Sequence, residues 1–231
     1  MVNQPIAQIP LTWSPCFRII PSRFPPVDLL ERVSTTEEFD IIYEIEQRTN
    51  PRIRDEIGDI ELVPKAERLL GPGTSQIMAA FTHLPLYGSR FTDGSYGVYY
   101  AGNSLETAIA ETKYHREKFL RDFQCPHIEI DMRVLLADLK ATLHAIVGLE
   151  KTLIDIYHPE DYSASQQFGK ELRADGLASF GIRYNSVRHA TGECVAVFRP
   201  KALSHCRQER HLCYVWDGTK ISDIYKKVAM D

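Results

Sequence analysis

The sequence predicts an α+β domain. Three observations point there. Helix-like and strand-like segments do not alternate in a regular strand–helix rhythm, which argues against a parallel doubly wound sheet. Two amphipathic helices stand out, one starting at Asn103-Ser104 and one over Tyr162 to Asp175, each with its own start signals. The C-terminal third reads as strands and closes in a hairpin around Asp217-Gly218. The chain has 231 residues, 44% hydrophobic and 25% charged, so it is long and apolar enough to bury one core as a single domain over residues 1–231.

Residues 1–27 are proline-rich and irregular apart from Cys16 to Ile20, which reads as a first strand. Thr35 with Glu38 three residues on forms a capping box. Phe39, Ile42 and Ile45/Glu46 then fall at helical spacing, so a helix runs to about Arg48 and stops at Asn50-Pro51. Residues 28–75 thus form a partly helical arm, closing with Gly71-Pro72-Gly73-Thr74. A short helix over Ser75 to His83, a polar loop over Gly88 to Gly97 and a short strand over Val98 to Ala101 follow. In the helix from Ser104, the cap is Ser104, and Glu106 sits where the helix dipole favours an acid. Leu105, Ala108, Ile109, Thr112, Arg116 and Phe119 mark its inner stripe, and His115, Arg116, Lys118 and Arg121 gather toward its C-terminal end. Ile128 to Val134 alternates as a strand. The helix over Tyr162 to Asp175 is capped by Ser163 or Ser165 and stopped by Gly176. Phe180 to Val187 and Cys194 to Phe198 read as strands joined by Ala190-Thr191-Gly192, and Leu212 to Trp216 with Ile221 to Tyr225 as the hairpin.

The net charge, −4, argues against a general nucleic-acid binder, which needs a basic face for phosphates. The N-terminal residues lack a basic segment followed by an apolar run, so no signal peptide is expected. The most apolar stretch, Val134 to Leu149, is broken by Asp138, Lys140 and His144 and cannot span a membrane. Five scattered cysteines without a CxxC suit reduced thiols and a cytoplasmic location. Dinucleotide-fold, Walker, zincin and serine-hydrolase signatures are absent.

His205, Cys206, His211 and Cys213 lie within nine residues, but their spacing suits no standard zinc motif, and no metal site is expected. The segment Gly88-Ser89-Arg90-Phe91 through Tyr99-Tyr100-Ala101-Gly102-Asn103-Ser104 to Glu111 is more informative. It puts a basic residue on a glycine-rich loop, an aromatic strand next, and one acid in the second turn of a capped helix. Glu111 reads either as a half-exposed surface glutamate or as a site acid. Ser186, Arg183 and Arg188 sit in a second strand-like run, and Arg18 in the first strand; they suit an anionic or hydroxyl-rich ligand, or surface ion pairs.

Taken in order, these segments resemble the RES-domain family, named for its Arg, Glu and Ser positions and comprising toxins of bacterial toxin–antitoxin pairs. Phe17-Arg18-Ile19 is similar to its opening aromatic-Arg-aliphatic triplet, and Gly88-Ser89-Arg90-Phe91 to its G-x-R-aromatic motif. Val98-Tyr99-Tyr100-Ala101 followed by Ser104-Leu105 and Glu111 resembles the family's strand–helix segment. Tyr184-Asn185-Ser186-Val187-Arg188 resembles its Y-P-S-x-R motif, with Asn185 for the usual proline, and Val195 to Pro200 its closing strand. The resemblance spans about residues 16 to 200, with the 28–75 arm longer than in the smallest members.

The resemblance implies an ADP-ribosyltransferase-like core of antiparallel strands with flanking helices, and NAD+ as substrate. It implies cleavage of the nicotinamide–ribose bond by phosphorolysis or hydrolysis, which depletes NAD+ and arrests growth until an Xre-like helix-turn-helix antitoxin binds. No prosthetic group is implied; inorganic phosphate is a candidate co-substrate. An oligomer is compatible with the sequence. In this reading Glu111, Arg90 and Tyr100 are the catalytic set, and Arg18, Ser186 and Arg188 bind substrate. Glu111 stabilises the oxocarbenium-like state, Arg18 and Arg90 with Arg188 second take the pyrophosphate, Tyr100 stacks on nicotinamide or bonds the ribose, and Ser186 contacts ribose or phosphate. Transferring toxins that modify arginine generally carry an acid two residues before the catalytic glutamate, where this chain has Ile109. Three alternatives stand beside this reading: an ADP-ribosyltransferase acting on a cellular protein, a catalytically inactive nucleotide-binding module, and an unrelated hydrolase using Cys206 or Cys213 with His211.

Overall fold

A computed structural model describes residues 6–22, 29–33, 35–49, 57–85, 87–174 and 179–228. The helix stops expected at Asn50-Pro51 and at Gly176 lie outside the described residues.

The chain is α+β. Its strands are β1 (Gln8–Pro21), β2 (Tyr99–Gly102), β3 (Ile128–Ala145), β4 (Gly181–Asn185), β5 (Glu193–Val197), β6 (Leu203–Trp216) and β7 (Ile221–Lys227). They form one seven-stranded sheet in the order β1-β2-β5-β4-β3-β6-β7, and β1 also pairs with β3. The pairings β1–β2, β2–β5, β5–β4, β4–β3 and β3–β1 therefore return on themselves. The β1–β3 seam is long, from Gln8↔His144 to Pro21↔Met132. Two other seams are short: β1 meets β2 only at Phe17↔Gly102, and β3 meets β4 at His144↔Ile182 and Ala145↔Arg183. The sheet is mostly antiparallel, as expected, and the β3–β4 pairing is its one parallel seam among the described residues.

Several strands are longer than their sequence suggests. β1 starts at Gln8, within the stretch expected to be irregular; Pro15 is accommodated where the register shifts between Trp13 and Cys16. β3 continues to Ala145 because it is paired on both sides, and Met132 to Leu135 are all buried, so period-two alternation disappears. β6 starts at Leu203, although Ser204 to Arg210 is mostly polar; its backbone pairing to β3 holds it. The C-terminal hairpin forms as expected, with Trp216↔Ile221 as its last pair and Asp217 N donating to Lys220 O across the turn.

The helices are α1 (Leu29–Arg32), α2 (Thr36–Thr49), α3 (Ser75–Thr82), α4 (Leu105–Asp122) and α5 (Ser163–Ala174). Thr35 Oγ1 accepts from Glu38 N at 3.1 Å, as the capping box requires. Phe39 is buried and stacks on Tyr43 at 5.5 Å, whereas Ile45 is 57% exposed and so is not on the inner stripe. Leu30, Val33 and Phe39 share one apolar cluster with Cys16, Leu139 and Val195 of the sheet. On α4, Ala108 and Leu120 are buried, but Phe119 is exposed and packs on Phe123 instead of the core. At the start of α5, Asp161 Oδ1 accepts from Ser163 N, so the capping side chain is Asp161 and not Ser163 or Ser165.

Gly102 lets β2 run directly into α4: a Cβ there would lie 3.0 Å from Ala108 N. That close approach brings the second turn of α4 over the short β1–β2 seam, which is where the site lies.

Candidate active site

A cleft of about 590 Å³ opens over this seam. Its floor is β1 from Phe17 to Pro21 and β2 from Tyr100 to Gly102. One wall is α4 and another is α3, and the Gly88–Thr92 turn closes one side. The volume is in the range of small-molecule and cofactor sites.

Ser104 Oγ accepts from Thr107 N at 3.2 Å and starts α4 as its sequence predicts. Thr107 Oγ1 donates to Asn103 Oδ1, which also accepts from Glu193 N, so the helix start is pinned to β5. Two turns along, Glu111 faces the cleft. Its partner comes from outside the helix: Ser186 Oγ donates to Glu111 Oε1 at 2.6 Å. Ser186 Oγ in turn accepts from Arg188 N at 3.1 Å and His189 N at 2.9 Å. Ser186 Oγ thus gives its proton to the carboxylate and its lone pairs to two backbone amides, which fixes the orientation of Glu111. Cys194 Sγ lies 3.9 Å from the same Oε1.

The Gly88–Thr92 turn is held from both ends. Ser89 N donates to Thr92 O at 2.8 Å. Tyr100 Oη accepts from Phe91 N at 2.9 Å and shares a hydrogen bond with Ser89 Oγ at 2.8 Å. Gln166 Nε2 reaches Ser89 O at 3.1 Å. Gly169 of α5 permits this packing, since a Cβ would lie 2.3 Å from Phe91 O. The Tyr100 hydroxyl is thus committed to the turn, and burial pushes its pKa up to about 12, so it stays protonated.

Of the three arginines that line the cleft, Arg18 and Arg90 are fixed by backbone oxygens and an aromatic face. Arg18 Nη1 donates to Tyr100 O at 3.0 Å, with its Cζ 4.6 Å from the Tyr99 ring centroid. Burial lowers its pKa, but an arginine starts so high that it keeps its charge. Arg90 Nη1 donates to Ile156 O and His158 O, each at 3.0 Å, and its guanidinium covers the Tyr162 ring. These contacts leave other N–H groups of each fork for a ligand.

Arg18, Arg90, Tyr100 and Glu111 therefore line one cleft, with Ser186 bonded to its acid. Arg188 is not brought there: its guanidinium lies over the Tyr114 ring and donates to Pro159 O, a latch for the Ser186 loop. Asn185 uses what a proline lacks, donating its N–H to Tyr157 Oη at 3.2 Å, while its Oδ1 accepts from Gly148 N. The sequence reading missed Ser89 and His115 as cleft residues. Ser89 is in the glycine-rich motif. His115 lies one helical turn after Glu111, a spacing that could have revealed it. Desolvation and the charges of Arg188, Arg90 and Arg116 lower the His115 pKa, against the opposing pull of Glu111.

The C-terminal histidines and cysteines do not converge. His205 faces Asp138, His211 Nδ1 meets Ser22 Oγ, Cys206 is in the core, and Cys213 Sγ lies 3.5 Å from Glu129 Oε2. Burial raises the thiol of Cys206 to about 11 and of Cys16 to about 12; burial and then Glu111 raise that of Cys194. Few thiolates exist at neutral pH in such places, and the thiolate is the nucleophile. Iodoacetamide at pH 8 should therefore leave Cys16, Cys194 and Cys206 unmodified in the native protein and label them after unfolding, as read by peptide mass spectrometry. Rapid native labelling of Cys194 would show that the cleft wall opens at that residue.

A family model described as the RES domain matches residues 65–217. The match includes Arg90, Tyr100, Glu111, Ser186 and Arg188, but starts after Arg18, so it is shorter at that end than the resemblance read from the sequence. An uncharacterized protein of Sinorhizobium fredii, y4oC, is 30% identical over 211 residues, covering 90% of this chain and 86% of that protein.

Proposed function

Because the chain belongs to the RES-domain family, which is associated with toxin–antitoxin systems, we propose that it cleaves the nicotinamide–ribose bond of NAD+. The observation that carries this reading is the Glu111 carboxylate, oriented by Ser186, in the same cleft as Arg18 and Arg90. Glycosidic cleavage breaks the C1″–N bond, and the electron pair goes to the nicotinamide nitrogen. The ribose is left oxocarbenium-like, and a fixed carboxylate stabilises that positive charge where it develops. Arg18 and Arg90 bind the pyrophosphate through their remaining N–H groups. Tyr100 holds the Gly88–Thr92 turn against the cleft and offers its ring as a wall.

An oxygen of inorganic phosphate then attacks C1″ and gives ADP-ribose-1″-phosphate. Phosphate is the favoured acceptor because Arg116 lines the cleft on the same helix as Glu111 and phosphate needs no general base. Water in the same place would give ADP-ribose with release of a proton. Transfer to an arginine side chain is less supported, since Ile109 packs with the core cluster of Met132 and Trp216 and no acid occupies that position. In this reading the returning strand circuit is an ADP-ribosyltransferase-like core and the arm is part of one domain. The protein is a cytoplasmic toxin, and an Xre-like helix-turn-helix antitoxin restrains it by covering the cleft.

Pure protein incubated with NAD+ should release nicotinamide, and proton and phosphorus NMR should show ADP-ribose-1″-phosphate forming at a rate that rises with phosphate and saturates. Release that is independent of phosphate moves the reading to a glycohydrolase. Intact NAD+ after prolonged incubation with folded protein overturns it.

A further inference from the structure

We propose that the α3 wall of the cleft is an adenine subsite and that Gln76 reads the base. This rests on the reading of the cleft as an NAD+ site. Ser75, Gln76, Ala79, Ala80 and His83 all line the cleft, and Gln76, Ala79, Ala80 and His83 are spaced i, i+3, i+4 and i+7, one face of the helix. This face carries no carboxylate, lysine or arginine. The opposite wall holds Glu111 and Arg116, and Arg18 rises from the floor between the two helices. A dinucleotide runs from nicotinamide through two ribose phosphates to adenine. With the acid at one wall and an arginine on the floor, the uncharged base falls to the uncharged wall.

The polar groups on that wall suit it. Ser75 Oγ is buried and has no hydrogen-bond partner among the described residues. The half-buried amide of Gln76 makes no hydrogen bond among the described residues either. Buried polar groups normally find partners, so the unpaired Ser75 hydroxyl on this cleft wall indicates a ligand that supplies one, and the Gln76 amide beside it is free to join. A glutamine amide offers one acceptor and donors, which match the N6 amino group and N7 of adenine in a bidentate pair. Hypoxanthine replaces that amino group with a carbonyl oxygen, and one of the two bonds is lost. Ala79 and Ala80 leave room for the flat ring, and Ile20 and Pro21 provide apolar surface from β1.

Calorimetric titration of the whole chain with ADP and with inosine diphosphate tests this without any turnover. ADP should bind about tenfold or more tightly than inosine diphosphate. Gln76→Leu should lose about tenfold in ADP affinity and bring the two ligands near parity. Gln76→Glu keeps the shape and the acceptor but repels N7, and should also weaken ADP, with an unchanged melting temperature showing that it is folded. Equal affinities in the wild type, failure of both nucleotides to bind, or undiminished preference in both variants overturns the proposal. If ADP binding depends on Gln76 while NAD+ stays intact, the subsite stands and the cleavage reading falls. If NAD+ is cleaved with no base preference, the reverse holds.

Discussion

Glu111→Gln is expected to lower NAD+ cleavage by roughly a hundredfold or more while the protein stays folded. Glutamine keeps the length and planar shape of the side chain. Its amide oxygen can still accept the Ser186 hydroxyl that reaches Oε1 at 2.6 Å, so the loop carrying Ser186 stays in place. What disappears is the negative charge. A neutral amide cannot match the positive charge that develops on the ribose as nicotinamide leaves, and such preorganised contacts are worth most in a site shielded from water. Binding of NAD+ should change little, because the pyrophosphate contacts belong to Arg18 and Arg90. The checks are single-turnover release of nicotinamide and calorimetric binding of NAD+ to the variant. Near-normal turnover in a folded Glu111→Gln protein would remove Glu111 from the chemistry.

How far the sequence discloses this site depends on the kind of contact. Ser104 as helix cap and Glu111 in the second turn are local features, legible from spacing, and α4 starts where they place it. The short strand at Tyr99, the C-terminal hairpin and the Thr35 capping box are local too. The Ser186–Glu111 bond spans 75 positions and leaves no local trace; only the ordered set of motifs brought the two together. Arg188 is a different case. Next to Ser186 in sequence, it reads as a ligand for anions, while its guanidinium lies over the Tyr114 ring and donates to Pro159 O, contacts that no local pattern announces. The lengths of β3 and β6 were hidden for opposite reasons. In β3 burial on both faces erases the alternation, and in β6 a polar sequence is carried by backbone pairing alone. The cleft itself follows from a seam with one residue pair, Phe17↔Gly102, which no periodicity encodes.

Phe39→Ala should be strongly destabilising for the whole domain, and the result decides whether the 28–75 arm belongs to it. Phe39 is fully buried, stacks on Tyr43 at 5.5 Å and shares its apolar cluster with Cys16, Leu139 and Val195 of the sheet. A polar tie runs the same way: Arg199, beyond β5, pairs with Glu67, while Arg68 braces the arm internally through Val63 O and Glu61. A buried phenylalanine truncated to alanine typically costs about 3–5 kcal/mol, from lost transfer energy plus the cavity left behind. Against a total stability on the order of 5–15 kcal/mol, that is a large share. For a chain of this size it corresponds to a fall of roughly 6–20 °C in melting temperature. The chain has two tryptophans, so a Trp13→Phe background leaves Trp216 as the only indole. Trp216 lies in a separate cluster with Met132 and Tyr214. If arm and sheet share one cooperative core, Trp216 fluorescence and far-ultraviolet circular dichroism should shift together in Phe39→Ala. An early loss of helical signal with the Trp216 transition left in place would mean that the arm unfolds on its own, and that one domain over residues 1–231 is the wrong description.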